Sequence, residues 1–172
     1  MKIIIPKEIK NNEYRVGLTP SSVKQLFNDG HEIFVEKNAG VGIGFTDNDY
    51  ELSGASIVDN RSDLFKKGEL IIKVKEPIPE EFQYLNSSHT LFTYLHLAAN
   101  MTQAKELAET GVRGIAYETI TSAAGNLPLL APMSSIAGQI SIVVGSYFLL
   151  KPNKGLGVMF GDFIGIEKRI VT

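Results

Sequence analysis

Lys2-Ile3-Ile4-Ile5, then Leu18-Thr19-Pro20 through Asp29-Gly30, then Glu32-Ile33-Phe34-Val35-Glu36 form the stretch on which the fold turns. A short β-rich run is followed by a polar loop, a helix-like segment over Pro20–Asp29 and a second β-rich run. Thr19 stands at the N-cap, Pro20 at the first helical position and Gly30 just past the last. The same alternation continues down the chain. Ile57–Val58, Leu70–Val74, Thr90–Tyr94 and Gly114–Tyr117 read as further strands. Asp47–Ser53, Arg61–Lys67 and Met101–Thr110 read as helices, with Thr46 and Gly54 bracketing the first of them and Gly111 closing the last. Strand–helix alternation of this kind predicts an α/β fold, a mostly parallel sheet flanked by helices. In such a sheet the ligand crevice lies beyond the carboxyl ends of the strands, so residues just after a strand are where chemistry is sought.

Composition narrows the classes. The chain has 172 residues with 44% hydrophobic and 21% charged content, enough for a buried core. A net charge of -2 gives no footprint for nucleic acid or an anionic membrane. The absence of cysteine excludes disulfides, zinc–thiolate sites and a cysteine nucleophile. No metal-ligand pattern is visible. The apolar run after Lys2 is far too short for a signal-peptide core, and the expected setting is cytoplasmic. The run from Ile136 to Leu150 is interrupted by Gln139, Ser141, Gly145 and Ser146 and falls short of a membrane span. It reads as a buried helix.

Four places can carry chemistry. Arg15, in the polar loop Asn11-Asn12-Glu13-Tyr14-Arg15-Val16, can grip a carboxylate through paired hydrogen bonds, or it is a surface arginine. In Ile71-Ile72-Lys73-Val74-Lys75-Glu76-Pro77 the two lysines share a strand face, and Lys75 sits at the carboxyl end. A lysine there can polarise a carbonyl or form an imine; the alternative is a solvated strand end. His96, in Phe92-Thr93-Tyr94-Leu95-His96-Leu97, follows a buried-looking strand and is either an acid–base group or a satisfied core histidine. Ser134, in Ala131-Pro132-Met133-Ser134-Ser135, opens the long apolar helix, where amides and hydroxyls meet an anion or simply cap the helix. His31 and His89 lie in turns without such company. Gly40-Val41-Gly42-Ile43-Gly44-Phe45 begins like a dinucleotide fingerprint, but Phe45 replaces the last glycine and no helix follows directly. It reads as a loop.

These residues also carry a family signature. Pro6-Lys7-Glu8, Asn12-Glu13, Arg15-Val16, Leu18-Thr19-Pro20, Val23 and Gly30 resemble the signature shared by alanine dehydrogenases and the alpha subunits of proton-pumping transhydrogenases. Ile4 and Gly17 depart from the usual glycine and alanine. Val74-Lys75-Glu76-Pro77, Phe92 to Ala98, Ala116-Tyr117-Glu118-Thr119 and Leu129 to Ser134 resemble the dehydrogenase branch, since the transhydrogenases lack the lysine and histidine pair. The resemblance covers about residues 2 to 160. It implies that Arg15 and Lys75 bind substrate, His96 is the acid–base residue and Ser134 touches NAD. The implied reaction is the reversible oxidative deamination of L-alanine to pyruvate and ammonium.

The same resemblance implies a Rossmann-like substrate domain over 1–133, an inter-domain helix over 134–152 and a lead-in over 153–172 to an NAD-binding domain. Arg169-Ile170-Val171-Thr172 reads as the opening of a new strand. A chain truncated there is expected to have negligible activity alone and to need a separately encoded nucleotide domain or assembly as a homo-oligomer. Two other readings stay open: a related 2-amino acid or lysine-forming dehydrogenase, and a non-enzymatic module that binds a small oxo acid or a protein.

Overall fold

The computed structural model describes residues Met1–Phe160; the strand expected over Arg169–Thr172 lies outside them. The chain divides into two compact units, Met1–Ile120 and a second from Thr121 onward.

The first unit is a six-stranded sheet in the order β3-β2-β1-β4-β5-β6. Its strands are β1 (Lys2–Ile5), β2 (Glu32–Glu36), β3 (Ser56–Val58), β4 (Leu70–Ile72), β5 (Thr90–Thr93) and β6 (Arg113–Ala116). Every neighbouring pair is parallel, as the alternation predicted. The connections include α1 (Pro20–Asn28), α2 (Asp47–Leu52), α3 (Arg61–Phe65), α4 (Pro79–Phe82) and α5 (Met101–Glu109). The order reverses between β1 and β4, the switch point at which doubly wound sheets open a ligand crevice.

Alternation along β1 sorts its isoleucines between two cores. Ile3 and Ile5 pack with Val23 of α1, Val35 of β2 and Tyr50 of α2. Ile4 packs with Leu64 and Phe65 of α3, Ile71 of β4, Leu91 of β5 and Leu107 of α5. The sheet is therefore covered by helices on both faces.

The helix starts hold with one difference. Thr46 and Asp49 form a capping box at α2. Thr19 occupies the N-cap of α1 in extended conformation, but its hydroxyl caps no amide; it meets the hydroxyls of Ser21 and Ser22 at 2.9 and 3.2 Å. The helix is instead entered through Pro20, whose fixed φ suits the first turn. The helix α4 was not expected: four residues are too few to show a helical period.

The second unit contains α6 (Ala131–Leu149). It begins three residues before Ser134 and, contrary to expectation, has no buried residue. Its 19 residues, with mean hydropathy 1.2 over the most apolar window, make it long and apolar enough to cross a membrane by length and composition alone. The helix is longer than the Ile136–Leu150 run because it starts at Ala131. The reading as buried failed because the described residues of this unit supply little to cover it. Phe160 is one that does, lying against the backbone at Gly145.

Candidate functional site

The loop after β1 and the loop after β4 meet at the switch point, and buried charge fixes them to each other. The Glu8 carboxylate accepts the Val74 amide at 2.6 Å through Oε1 and the Lys73 ammonium at 3.2 Å through Oε2. Lys73 Nζ also donates to Glu81 Oε1 at 2.9 Å, and Arg61 Nη1 donates to the same oxygen at 3.0 Å. Arg61 then forks onto Glu36 through Nε and Nη2 at 3.1 and 2.8 Å. Lys73, Glu8 and Glu81 are almost wholly removed from water. Burying charge is costly unless each ion is paired and hydrogen-bonded, and here every one is. Taking the Val74 amide for Glu8 also ends β4 at Ile72, two residues before the expected Val74.

The two lysines consequently differ in burial. Backbone bonding to β5 runs on past Ile72, from the Lys73 amide to Phe92 at 3.1 Å and from the Tyr94 amide to Val74 at 3.3 Å, and the chain bends at Val74 and Lys75, so Lys73 lies in the buried network while Lys75 is partly exposed. The Lys75 ammonium lies 3.6 Å from Glu76 Oε2.

Arg15 comes forward on the loop after β1. Its Nε and Nη2 donate to the two Glu13 carboxylate oxygens at 2.8 and 2.6 Å, and its own amide adds a 2.9 Å bond. Hydrogen bonding to Arg15 holds the Glu13 carboxyl below its usual range, and the nearby charges of Arg15 and Lys75 act in the same direction. The same pairing raises Arg15. Glu13 is thus paired directly with Arg15, one of the two expected substrate-binding cations.

His96 follows β5, as expected from position, and is exposed. Its ring stacks on Tyr94, with centroids 6.0 Å apart and planes 16° from parallel. Burial raises the Tyr94 phenol, against a lowering by the charge of Arg15 and with a raising by Glu118. Tyr117 packs edge-on to both Phe92 and Tyr94, at 4.3 and 5.0 Å, and burial pushes its hydroxyl far above the usual tyrosine range. A cleft of about 400 Å³ borders His96, running along Leu95 to Ala99 and across to Ala116, Glu118 and Thr119.

Ser134 lies in the first turn of α6. The amides of Ala131, Met133 and Ser134 are already bonded to the carbonyls of Leu127 and Leu130, and Leu130 rather than a serine is the N-cap residue. The Ala131, Met133 and Ser134 amides are therefore not on offer to an anion. The Gly40–Gly44 run is no cradle either. A Cβ at Gly40 would lie 2.6 Å from the Tyr50 ring, and one at Gly42 would lie 2.5 Å from the Tyr14 carbonyl oxygen. These glycines let the protein's own chain approach closely. Among the described residues no group of three or more histidine, aspartate and glutamate side chains is placed to hold a metal ion.

Glu13, Tyr94 and Glu118 belong to the site and had no assigned role in the sequence reading. Glu118 was open to the same positional rule as His96, because it too directly follows a strand. His89, set aside as a turn residue without partners, is buried. Its Nε2 lies 3.1 Å from the Phe65 carbonyl oxygen and its Nδ1 accepts the Asn86 amide at 3.3 Å. Those partners lie across a turn and in a separate helix, so spacing could not reveal them.

Fold and site together define a doubly wound α/β domain with two cations and an imidazole around one end of a parallel sheet. The family model described as alanine dehydrogenase/PNT, N-terminal domain, matches residues 4–137, and the chain belongs to that family. It is 51% identical over its whole length to an alanine dehydrogenase of Staphylococcus haemolyticus, of which it spans 46%. A solved L-alanine dehydrogenase superposes on 98% of the chain with a TM-score of 0.83 and 46% identity, and the match covers 46% of that protein. A transhydrogenase from Sinorhizobium meliloti matches 69% of the chain at 29% identity and a TM-score of 0.64, over 35% of its own length. The chain thus stands nearer the dehydrogenase branch, as its motifs implied, and spans about half the length of such relatives.

Proposed function

We propose that this chain forms the substrate-binding half of an NAD-dependent alanine dehydrogenase acting on L-alanine and pyruvate. One observation carries the reading most directly: Arg15, Lys75 and His96 lie in the loops that follow β1, β4 and β5, three adjacent strands of the parallel sheet, and His96 stacks on Tyr94. Residues from three separate loops so gather at one end of the sheet. Residues 1–133 are the substrate-binding part in this reading, and 134–152 the connection to a nucleotide domain.

Each side chain takes one task. Arg15 binds the substrate carboxylate. Glu13 already holds its Nε and Nη2, so the incoming carboxylate competes with Glu13 for the guanidinium. Lys75 donates to the oxygen on the oxo-bearing carbon and polarises that bond. His96 accepts a proton as water adds to the imine carbon and returns one as ammonia leaves. Its exposure lets that proton exchange with solvent.

Ser134 offers a dinucleotide its hydroxyl, and the Gly40–Gly44 run offers no cradle. NAD supplies the hydride acceptor in the family, and the described residues do not by themselves build its site. Efficient turnover accordingly calls for a nucleotide-binding domain, whether joined to this one or supplied by another chain.

The reading is tested by titrating the purified chain with pyruvate while following the imidazole resonances of His96. Saturable perturbation of His96, weakened by Arg15→Ala, supports a substrate site. L-alanine-dependent NADH formation on mixing with the nucleotide domain of a related enzyme, abolished by His96→Ala, completes the case. A folded chain that neither responds to pyruvate nor complements that domain overturns it.

A further inference from the structure

His96 lies in the left-handed region, with φ 49° and ψ 34°. A side chain with a Cβ pays for that conformation and keeps it only where the surroundings impose it. Two consecutive amides at this turn point to one carboxylate. Leu95 N–H donates to Glu118 at 3.1 Å to Oε1 and 3.3 Å to Oε2, and His96 N–H donates to Oε1 at 2.7 Å. Successive amides converging in this way form a concavity that favours an anion. Here the anion is supplied by the chain itself, from the turn after β6.

Glu118 is well placed to act as a fixed post. β6 pairs in register with β5, with Ala116 opposite Thr93, so the turns that follow the two strands emerge side by side. The Thr119 hydroxyl donates back to the Ala116 carbonyl at 3.0 Å and closes the turn. Tyr117, wedged against Phe92 and Tyr94, anchors its base. Glu118 also lines the cleft beside His96, so the carboxylate and the imidazole border one space.

We infer that Glu118 is a positioning residue for His96: its carboxylate locks the left-handed turn that lays the imidazole on Tyr94. Glu118 acts through the backbone amides, not by proton transfer. The part His96 plays in chemistry rests on the reading given under Proposed function; the locking of the turn does not.

The test uses the 172-residue chain carrying Glu118→Gln or Glu118→Ala, observed by NMR without ligand and then with pyruvate. In the native chain the Leu95 and His96 amides should be shifted downfield by the carboxylate. The His96 ring protons should carry the ring-current shift of Tyr94, and the His96 one-bond Cα–Hα coupling should report a positive φ. Expected in Glu118→Ala is loss of all three signatures with the fold retained. Glu118→Gln, which keeps one carbonyl oxygen, should lie between, and it carries the test if the alanine variant does not fold. Pyruvate affinity should fall roughly tenfold or more in the alanine variant as the imidazole leaves its place. A merely structural glutamate would lower the melting temperature and leave the His96 coupling and ring shift as they were; that result overturns the inference. If the native chain binds no pyruvate while the ligand-free signatures still respond to Glu118, the function reading falls and the positioning stands.

Discussion

Lys73 and Glu81 meet with Nζ 2.9 Å from Oε1, both side chains almost fully withdrawn from water. The first belongs to the loop after β4 and the second to α4, and Glu8 of the loop after β1 closes the group from the other side. Substituting Lys73→Met removes the shared cation and leaves two buried carboxylates facing each other. Breaking a buried pair in this way costs about 3–5 kcal/mol. Urea denaturation should show the unfolding free energy falling by that amount, and Lys73→Met with Glu8→Gln should recover part of the loss, because Glu81 keeps Arg61 and Glu8 is the carboxylate that Lys73 leaves unpaired.

The histidine at position 89 makes stability fall with acid. Burial lowers its pKa in the folded protein, against a smaller opposing effect of the hydrogen bond to Phe65. The unfolded chain then binds the proton more readily, and stability rises with pH wherever that is so. Its contribution is intact above the unfolded value of about 6.5 and is lost as pH falls below it toward the depressed folded value. Thermal unfolding measured between pH 8 and pH 5 should show this slope, and His89→Gln should flatten it.

Replacing Arg15 separates charge from geometry. Arg15→Lys keeps the cation but cannot fork onto a carboxylate. Pyruvate affinity, read by calorimetry, should fall in the lysine variant and fall further in Arg15→Ala, by roughly tenfold or more for loss of a charge-assisted pair worth about 1.5–3 kcal/mol. Equal affinity in all three would remove Arg15 from the site.

Gly42 should tolerate no side chain. Its missing Cβ would stand 2.5 Å from the Tyr14 carbonyl oxygen, next to Arg15. Gly42→Ala should cost about 1–3 kcal/mol as an overpacked contact and should weaken pyruvate binding through displacement of Arg15. Added NAD should not change the loss, since the glycines hold chain against chain.

Tyr50 gives a cleaner stability measurement. It is fully buried, and its hydroxyl donates to the Leu18 carbonyl at 2.8 Å; burial pushes its pKa up to about 12. Tyr50→Phe leaves that carbonyl without its partner in the core and should lower stability by about 1–3 kcal/mol, with pyruvate binding unchanged.

The parallel sheet was legible because each strand is a short apolar run set between helix start and stop signals. The placement of Arg15, Lys75 and His96 was legible for a related reason: they lie in the loops that follow β1, β4 and β5. What the sequence could not show was long-range partnership. Lys73 and Lys75 are two residues apart, yet Glu8, 65 residues from Lys73, pairs with Lys73 in the buried network. His89 has the same history with Phe65. For α6 the apolar composition was clear, but composition reports a need for cover, and cover comes from elsewhere in space.

The division of β1 between two cores has a consequence for how the site comes into being. Ile3 and Ile5 belong to one core and Ile4 to the other, so neither layer can open without uncovering the same four-residue strand. The two halves of the sheet then melt and form as one cooperative unit. Arg15, hung from the end of β1, and Lys75, hung from the end of its neighbour, acquire their places in a single event. A half-assembled domain would hold neither end of a substrate.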